Sequence, residues 1–118
     1  MSINLHDTQF NPSHLLKMVD NDLKILKDVL TLFLSSYQKK IQNIRDQMNL
    51  LALDEVAKET HSLRGDLLIF GYQKPIEIAT KIEELARNSR PHNLENLVDE
   101  LHHSMKPLVE YSQNKLKK

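Results

Sequence analysis

The sequence predicts an all-α protein, an antiparallel four-helix bundle with a short extra helix at the N-terminus. Apolar residues recur at steps of three and four along most of the chain, which is typical of helices with one buried side. No segment alternates apolar and polar residues with the period of two that a strand requires. At 118 residues the chain has the length of one domain. We therefore expect residues 1–118 to form a single helical domain, and a monomer, because the four apolar stripes can cover one another.

The composition excludes several other classes of protein. The 16 basic and 16 acidic residues give a net charge of zero, so the overall charge favours neither nucleic acid nor an anionic membrane as a partner. The chain has no cysteine, hence no disulfide and no thiolate metal site, in agreement with a reducing compartment. Its apolar runs are far shorter than the roughly 20 residues that cross a bilayer, and its first ten residues lack an export signal. We expect a cytoplasmic protein.

The first part of the chain predicts one short helix and one long one. Residues 1–10 show no period and are expected to form a loose arm. Asn11 before Pro12 predicts a helix start, because asparagine caps free amides and proline is tolerated in the first turn. The polar residues 20–22 predict a break and a new cap. The long helix that follows carries a repeat of about seven residues, as in a bundle seam. Its members are Leu26, Leu30, Phe33, Tyr37, Ile41, Ile44 and Met48.

The next long helix is predicted between a turn at residues 49–52 and Gly71. Its apolar stripe, in which Thr60 fills one slot, consists of Leu53, Val56, Leu63, Leu67 and Phe70. Gly71 comes directly after the last periodic residue, where a left-handed helix stop is expected.

Two further helices are predicted in the remainder of the chain. Pro75 opens the first, and residues 88–93 form the loop that follows it. The inner face of this helix is Ile78, Ala79, Ile82, Leu85 and Ala86. The last helix contains Pro107, which removes a backbone hydrogen bond, so we expect a kink near His103 or Ser104.

His61 is predicted to face water. At 100° per residue it lies about 120° or more from the middle of the apolar stripe of its helix. Gly65 lies on the same face, where it costs about 0.5–1 kcal/mol relative to alanine. Gly65 does not lie at a helix end, so termination of the helix does not explain it. A missing side chain beside an exposed histidine indicates that another molecule binds close to the backbone here. The other residues predicted on this face are Asp54, Ala57, Lys58, Arg64 and Leu68.

At these residues the sequence resembles the histidine-containing phosphotransfer (Hpt) domains of multistep phosphorelays. The family pattern is His-x-Leu-Lys-Gly with a second glycine six residues later. Here it reads His61-Ser62-Leu63-Arg64-Gly65 with Gly71, and Ile82-Glu83 falls where the family often has Leu-Glu. The departures are Arg64 for lysine, Thr60 for the common alanine, and Asp66-Leu67 where small residues are frequent. Arg64 keeps the positive charge, whereas Asp66 adds a negative charge close to the site.

An exposed imidazole is largely uncharged at neutral pH, so a ring nitrogen of His61 can attack phosphorus. Phosphoryl transfer depends mainly on positioning and on nearby cations. Arg64 and Lys58, each within one turn of His61, are the candidate cations. Gly65 leaves room for the donor, and Ala57 and Leu68 offer a small apolar surface on which it could dock.

No glycine-rich ATP-binding motif occurs in the sequence, so the phosphoryl group must come from another protein. The resemblance implies a phosphoryl carrier rather than an enzyme. It also implies that the donor is the aspartyl phosphate of a response-regulator receiver domain and that the acceptor is a second receiver. The resemblance further implies a hybrid sensor histidine kinase as a partner. The Mg²⁺ would belong to the receiver, with no cofactor on this chain, and Glu83 would hydrogen-bond the other ring nitrogen of His61 and fix its tautomer.

Other interpretations remain open from the sequence. A lone surface histidine is usually only solvated, and Arg64 and Lys58 can pair with acidic neighbours instead. The altered motif with Asp66 suggests a receiver-binding adaptor that does not transfer phosphate, and an unrelated helical bundle that serves as a scaffold is a third interpretation.

His102 and His103 point about 100° apart without a third ligand, which does not favour a metal site. The initiating methionine slightly favours a free-standing carrier over a domain of a sensor kinase.

Overall fold

The computed structural model describes residues 10–117, and every regular element in that range is a helix. The predicted all-α class is therefore confirmed. The helices are α1 (Ser13–Met18), α2 (Leu23–Asn49), α3 (Leu53–Phe70), α4 (Gln73–Arg87), α5 (Leu94–Ser104) and α6 (Lys106–Leu116). Within residues 10–117 no helix combines the length and the apolar character needed to span a bilayer.

Four helical columns make up the bundle. Helix α2 packs against α3 on one side and against α5 and α6 on the other, and α4 packs against both α3 and α5. The pair α5 and α6 thus acts as one column, so that α3 lies between α2 and α4. Short connections join the columns, as in an antiparallel bundle. The short helix α1 contacts α3.

The core is built from the predicted apolar stripes. Along α2 the seam residues from Leu26 to Ile44 are buried, and Met48 is partly buried at its end. The ring of Phe33 stacks on Tyr37 and meets Phe70 of α3 edge to face, with centroids 5.1 Å apart in both pairs. On α4, Leu85 is only partly buried, whereas the other predicted inner-face residues are buried.

The helix boundaries follow the predicted signals. The carboxylate of Asp22 caps α2 by accepting hydrogen bonds from the backbone amides of Lys24 and Ile25, at 3.0 and 3.2 Å. Gly71 ends α3 in the left-handed conformation, with φ of 62°. Pro75 lies in the first turn of α4, which begins two residues earlier, at Gln73.

The predicted last helix is interrupted rather than only kinked. Helix α5 ends at Ser104, and α6 begins at Lys106 after the single turn residue Met105. Pro107 lies in the first turn of α6, where its missing amide hydrogen is tolerated. The break therefore comes one residue beyond the expected position.

The expected N-terminal arm falls almost entirely on residues 1–9, outside the described part of the chain. Phe10, its last residue, is not loose. Its ring lies 5.5 Å from that of Tyr72 and 5.1 Å from that of Tyr111, measured between centroids. An aromatic side chain that finds such partners gains more by packing than by remaining in water.

The two glycines should respond in opposite ways to alanine. At Gly71 a Cβ atom would lie 2.6 Å from Cγ of His14, and φ is +62°, so Gly71→Ala should lower the free energy of unfolding by about 1–2 kcal/mol or more. At Gly65 a Cβ atom meets nothing within 4 Å, so Gly65→Ala should raise it by about 0.5–1 kcal/mol. Urea denaturation of both variants measures this, and a loss of stability in Gly65→Ala would contradict it.

Thr60 carries a hydroxyl that is buried without a hydrogen-bond partner within residues 10–117. An unpaired buried hydroxyl destabilises the folded state, so Thr60→Val should raise the free energy of unfolding by about 1 kcal/mol or more. Thr60→Ser, which keeps the hydroxyl and loses a methyl group, is the matched control and should be less stable than the wild type. Equal stability of the two variants in urea would show that the hydroxyl carries no such cost.

Candidate functional site

The imidazole of His61 lies on the solvent-facing flank of α3. Its side chain is 58% exposed, although Thr60 and Leu63 on either side of it along the chain are fully buried. The ring thus points away from the core, as the helical spacing predicts. Its contacts come from α3 itself and from the neighbouring helix α4.

A carboxylate of α4 fixes one nitrogen of the ring. The two carboxylate oxygens of Glu83 lie 3.2 and 3.1 Å from Nδ1 of His61, and the Glu83 side chain is only 12% exposed. An ionised carboxylate can only accept hydrogen bonds. Glu83 therefore favours the tautomer in which Nδ1 carries the proton and donates it to the carboxylate, which leaves the lone pair on Nε2. The contact expected between Glu83 and the ring is present.

Arg64 joins the same cluster from one turn along α3. Its Nε donates to Oε1 of Glu83 at 3.3 Å, and its Nη2 lies 3.2 Å from Nδ1 of His61. A ring nitrogen has one position for either a hydrogen or a lone pair, so Arg64 can donate to Nδ1 only when Nδ1 is unprotonated. Glu83 and Arg64 thus favour opposite tautomers of His61.

Arg87 completes the cluster, although it was not among the predicted site residues. Its Nε and Nη2 donate to Oε2 of Glu83 at 3.0 and 2.9 Å. The available signal was the spacing of four residues between Glu83 and Arg87 on a predicted helix, which places opposite charges one above the other. The carboxylate of Glu83 is therefore contacted by the histidine and by two arginines.

These contacts keep Glu83 ionised. Burial alone raises the pKa of Glu83, but the hydrogen bonds from Arg87 and His61, together with the positive charge of Arg64, lower the pKa below its ordinary value. At neutral pH the carboxylate is thus an acceptor and not a donor. This supports the assignment of the ring proton to Nδ1.

Bare backbone and one apolar side chain lie beside the ring. Gly65, on the turn that follows His61, is exposed, and a Cβ atom placed there would meet nothing within 4 Å. Leu68, on the same face, is 50% exposed. Nothing within residues 10–117 packs closely on Gly65, so its small size is not explained by the packing of the protein itself.

The expectation for Ala57 was wrong. Ala57 is only 1% exposed, so it offers no docking surface. It projects to nearly the same side of α3 as Arg64, whose guanidinium contacts Glu83 of α4. Because α3 is packed between α2 and α4, it buries more of its circumference than the single stripe in the sequence suggested.

Lys58 does not join the cluster. Its side chain is 72% exposed, and its Nζ lies 3.5 Å from a carboxylate oxygen of Glu55, which is one of the pairings left open from the sequence. The cations near the ring are Arg64 and Arg87 instead.

Asp66 is paired with another helix. Its carboxylate accepts from Nζ of Lys40 on α2 at 2.5 Å, so its charge is balanced within the bundle. Within the described residues no group of three or more histidine, cysteine, aspartate or glutamate side chains is arranged to hold a metal ion.

Comparison with known proteins identifies the family. The sequence model described as Hpt domain matches residues 28–110, which contain all of the residues around His61 described above. No curated protein and no solved structure matches the chain. A family match over most of the chain excludes an unrelated scaffold bundle. Members of this family carry phosphoryl groups in phosphorelays, are not catalysts, and work with two-component signalling proteins. The chain belongs to the Hpt domain family.

Proposed function

We propose that His61 accepts a phosphoryl group from the aspartyl phosphate of one receiver domain and passes it to the aspartate of a second. The observation that supports this most directly is the state of the imidazole. The side chain is 58% exposed, and its Nδ1 contacts a carboxylate that is only 12% exposed. Such a ring presents the lone pair of Nε2 to an incoming partner.

The proposed step balances without an added proton or cofactor on this chain. Nε2 attacks phosphorus, the N–P bond forms, and the P–O bond of the aspartyl phosphate breaks, which returns the aspartate as a carboxylate. The proton stays on Nδ1, so the phosphorylated ring carries a positive charge opposite the negative charge of Glu83. A charge-assisted hydrogen bond of this kind is stronger than a neutral one. Transfer to the second receiver is the same step reversed, in which the ring leaves as neutral imidazole.

Arg64 is the proposed cation for the phosphoryl oxygens. In the loose transition state of phosphoryl transfer, negative charge spreads over the equatorial oxygens, so a nearby guanidinium stabilises it. The side chain of Arg64 is 27% exposed, and its Nη2 already lies beside the ring. Lys58 has no contact that supports this role. The Mg²⁺ that the chemistry requires is expected on the receiver.

Gly65 and Leu68 are the proposed landing surface for the receiver. The aspartyl phosphate must bring its phosphorus close to Nε2, which requires the two backbones to approach. Gly65 removes the side chain that would stand in the way, and Leu68 offers exposed apolar surface next to it. Ala57 is excluded from this surface by its burial.

The proposal predicts which histidine is labelled. Incubation with a phosphorylated receiver should give the protein an acid-labile, base-stable label, and His61→Gln should abolish it because, within residues 10–117, no other imidazole contacts a carboxylate in this way. His103→Gln, which changes another exposed histidine, is the matched control and should label like the wild type. Equal labelling of His61→Gln would refute the proposal. Receiver binding without any label on the wild type would instead identify a binding-only adaptor.

The small size of Gly65 is expected to matter for phosphoryl transfer. Gly65→Leu places a large side chain next to His61, so the rate of phosphoryl transfer from a receiver should fall by at least about tenfold, since small displacements of reacting groups are costly. Leu68→Ala changes the apolar surface without obstructing the ring, and should weaken receiver binding more than it slows transfer within the bound complex. Rapid-quench measurement at saturating receiver gives the rate of transfer within the bound complex, and so distinguishes slower transfer from weaker binding. An undiminished rate in Gly65→Leu would show that the receiver does not approach over this glycine.

A further inference from the structure

We propose that Arg87 is a positioning residue for phosphotransfer: by holding the carboxylate of Glu83 it keeps the proton of His61 on Nδ1 and leaves Nε2 free to accept the phosphoryl group. This inference rests on the proposed function of His61. Arg87 does not need to touch the phosphoryl group. It acts through Glu83, one turn earlier on the same helix.

The geometry connects Arg87 to the ring through one oxygen atom. Oε2 of Glu83 accepts from both Nε and Nη2 of Arg87, at 3.0 and 2.9 Å, and the same oxygen lies 3.1 Å from Nδ1 of His61. A guanidinium that donates twice fixes direction as well as distance. Arg87 therefore determines where the acceptor for the ring proton lies.

Glu83 needs this support because its side chain is only 12% exposed. A poorly solvated carboxylate without sufficient partners binds a proton more readily. A protonated Glu83 could donate to Nδ1, which would place the ring proton on Nε2 and block its attack. Arg87 opposes that change by favouring the ionised carboxylate.

Arg64 cannot replace Arg87 in this role. Its Nε holds Oε1 of Glu83, but its Nη2 lies beside Nδ1, where it can donate only to the tautomer that carries its proton on Nε2. Arg64 is also the proposed partner of the phosphoryl oxygens, and it would have to give up part of its contact with Glu83 to reach them. Arg87 thus favours the reactive tautomer, whereas Arg64 by itself favours the unreactive one.

The first experiment reads the tautomer directly, without any partner. In ¹⁵N NMR spectra of the imidazole at neutral pH, the wild type should show His61 protonated on Nδ1, and Arg87→Ala should shift the population towards protonation on Nε2. Arg87→Lys, which keeps a cation near Glu83, should restore part of the wild-type signal. Arg90→Ala is the matched control, since it removes an exposed arginine beyond the end of α4 and should leave the signal unchanged. An unchanged tautomer in Arg87→Ala would overturn the inference.

The second experiment asks whether Arg87 acts through Glu83. Arg87→Ala should slow phosphorylation by a receiver by about tenfold, the order expected for one charge-assisted hydrogen bond, and Arg90→Ala should not. In a Glu83→Gln background, Arg87→Ala should cause little further loss. A full tenfold loss in that background would mean that Arg87 acts on the phosphoryl group itself, which overturns the inference.

Labelling of the wild type and of Arg87→Ala tests the roles of His61 and of Arg87 separately. If the wild type accepts no phosphoryl group from any receiver, the proposed function fails. If the wild type accepts it and Arg87→Ala retains both the tautomer and the rate, only the role of Arg87 fails. Far-UV circular dichroism of each variant shows that the helices are retained, which is expected because the Arg87 side chain is 56% exposed.

Discussion

The site depends on one constraint: a carboxylate that is largely removed from water must be balanced by its neighbours. Glu83 lies at the boundary between α3 and α4 with 12% of its side chain exposed, and burying a charge is costly unless it is paired and hydrogen-bonded. Two arginines and the histidine supply those partners. The same contacts that make the buried charge tolerable also orient an imidazole that is itself exposed, so the stability of the cluster and its chemistry have one origin.

The fold was largely predictable because its signals are local. The cap at Asp22, the stop at Gly71 and the loop before α5 each depend on residues close in sequence, and the structure has all three. The break at Met105 was predicted one residue too early, since a proline shows that a helix is disturbed but does not fix where the backbone leaves it.

The site was predictable only in part, because its contacts cross between helices. The position of His61 followed from the spacing on α3 alone. The burial of Ala57 did not, since a single apolar stripe does not reveal that a second helix packs beside it. The pairing of Asp66 with Lys40 joins residues far apart in sequence, so no local pattern shows it. Arg87 is different, because its spacing of four residues from Glu83 on a predicted helix is itself a local signal for this ion pair.

The cluster around His61 is contained in two consecutive helices joined by a short connection, α3 and α4. Loop closure over such a short stretch of chain costs little conformational entropy, so contacts of this kind form readily during folding. The columns α2 and α5–α6 contribute no side chain to the cluster within the described residues. Local opening of α1 or α6 can therefore occur while the hydrogen bonds of the imidazole are kept, so the orientation of His61 does not depend on these two outer helices.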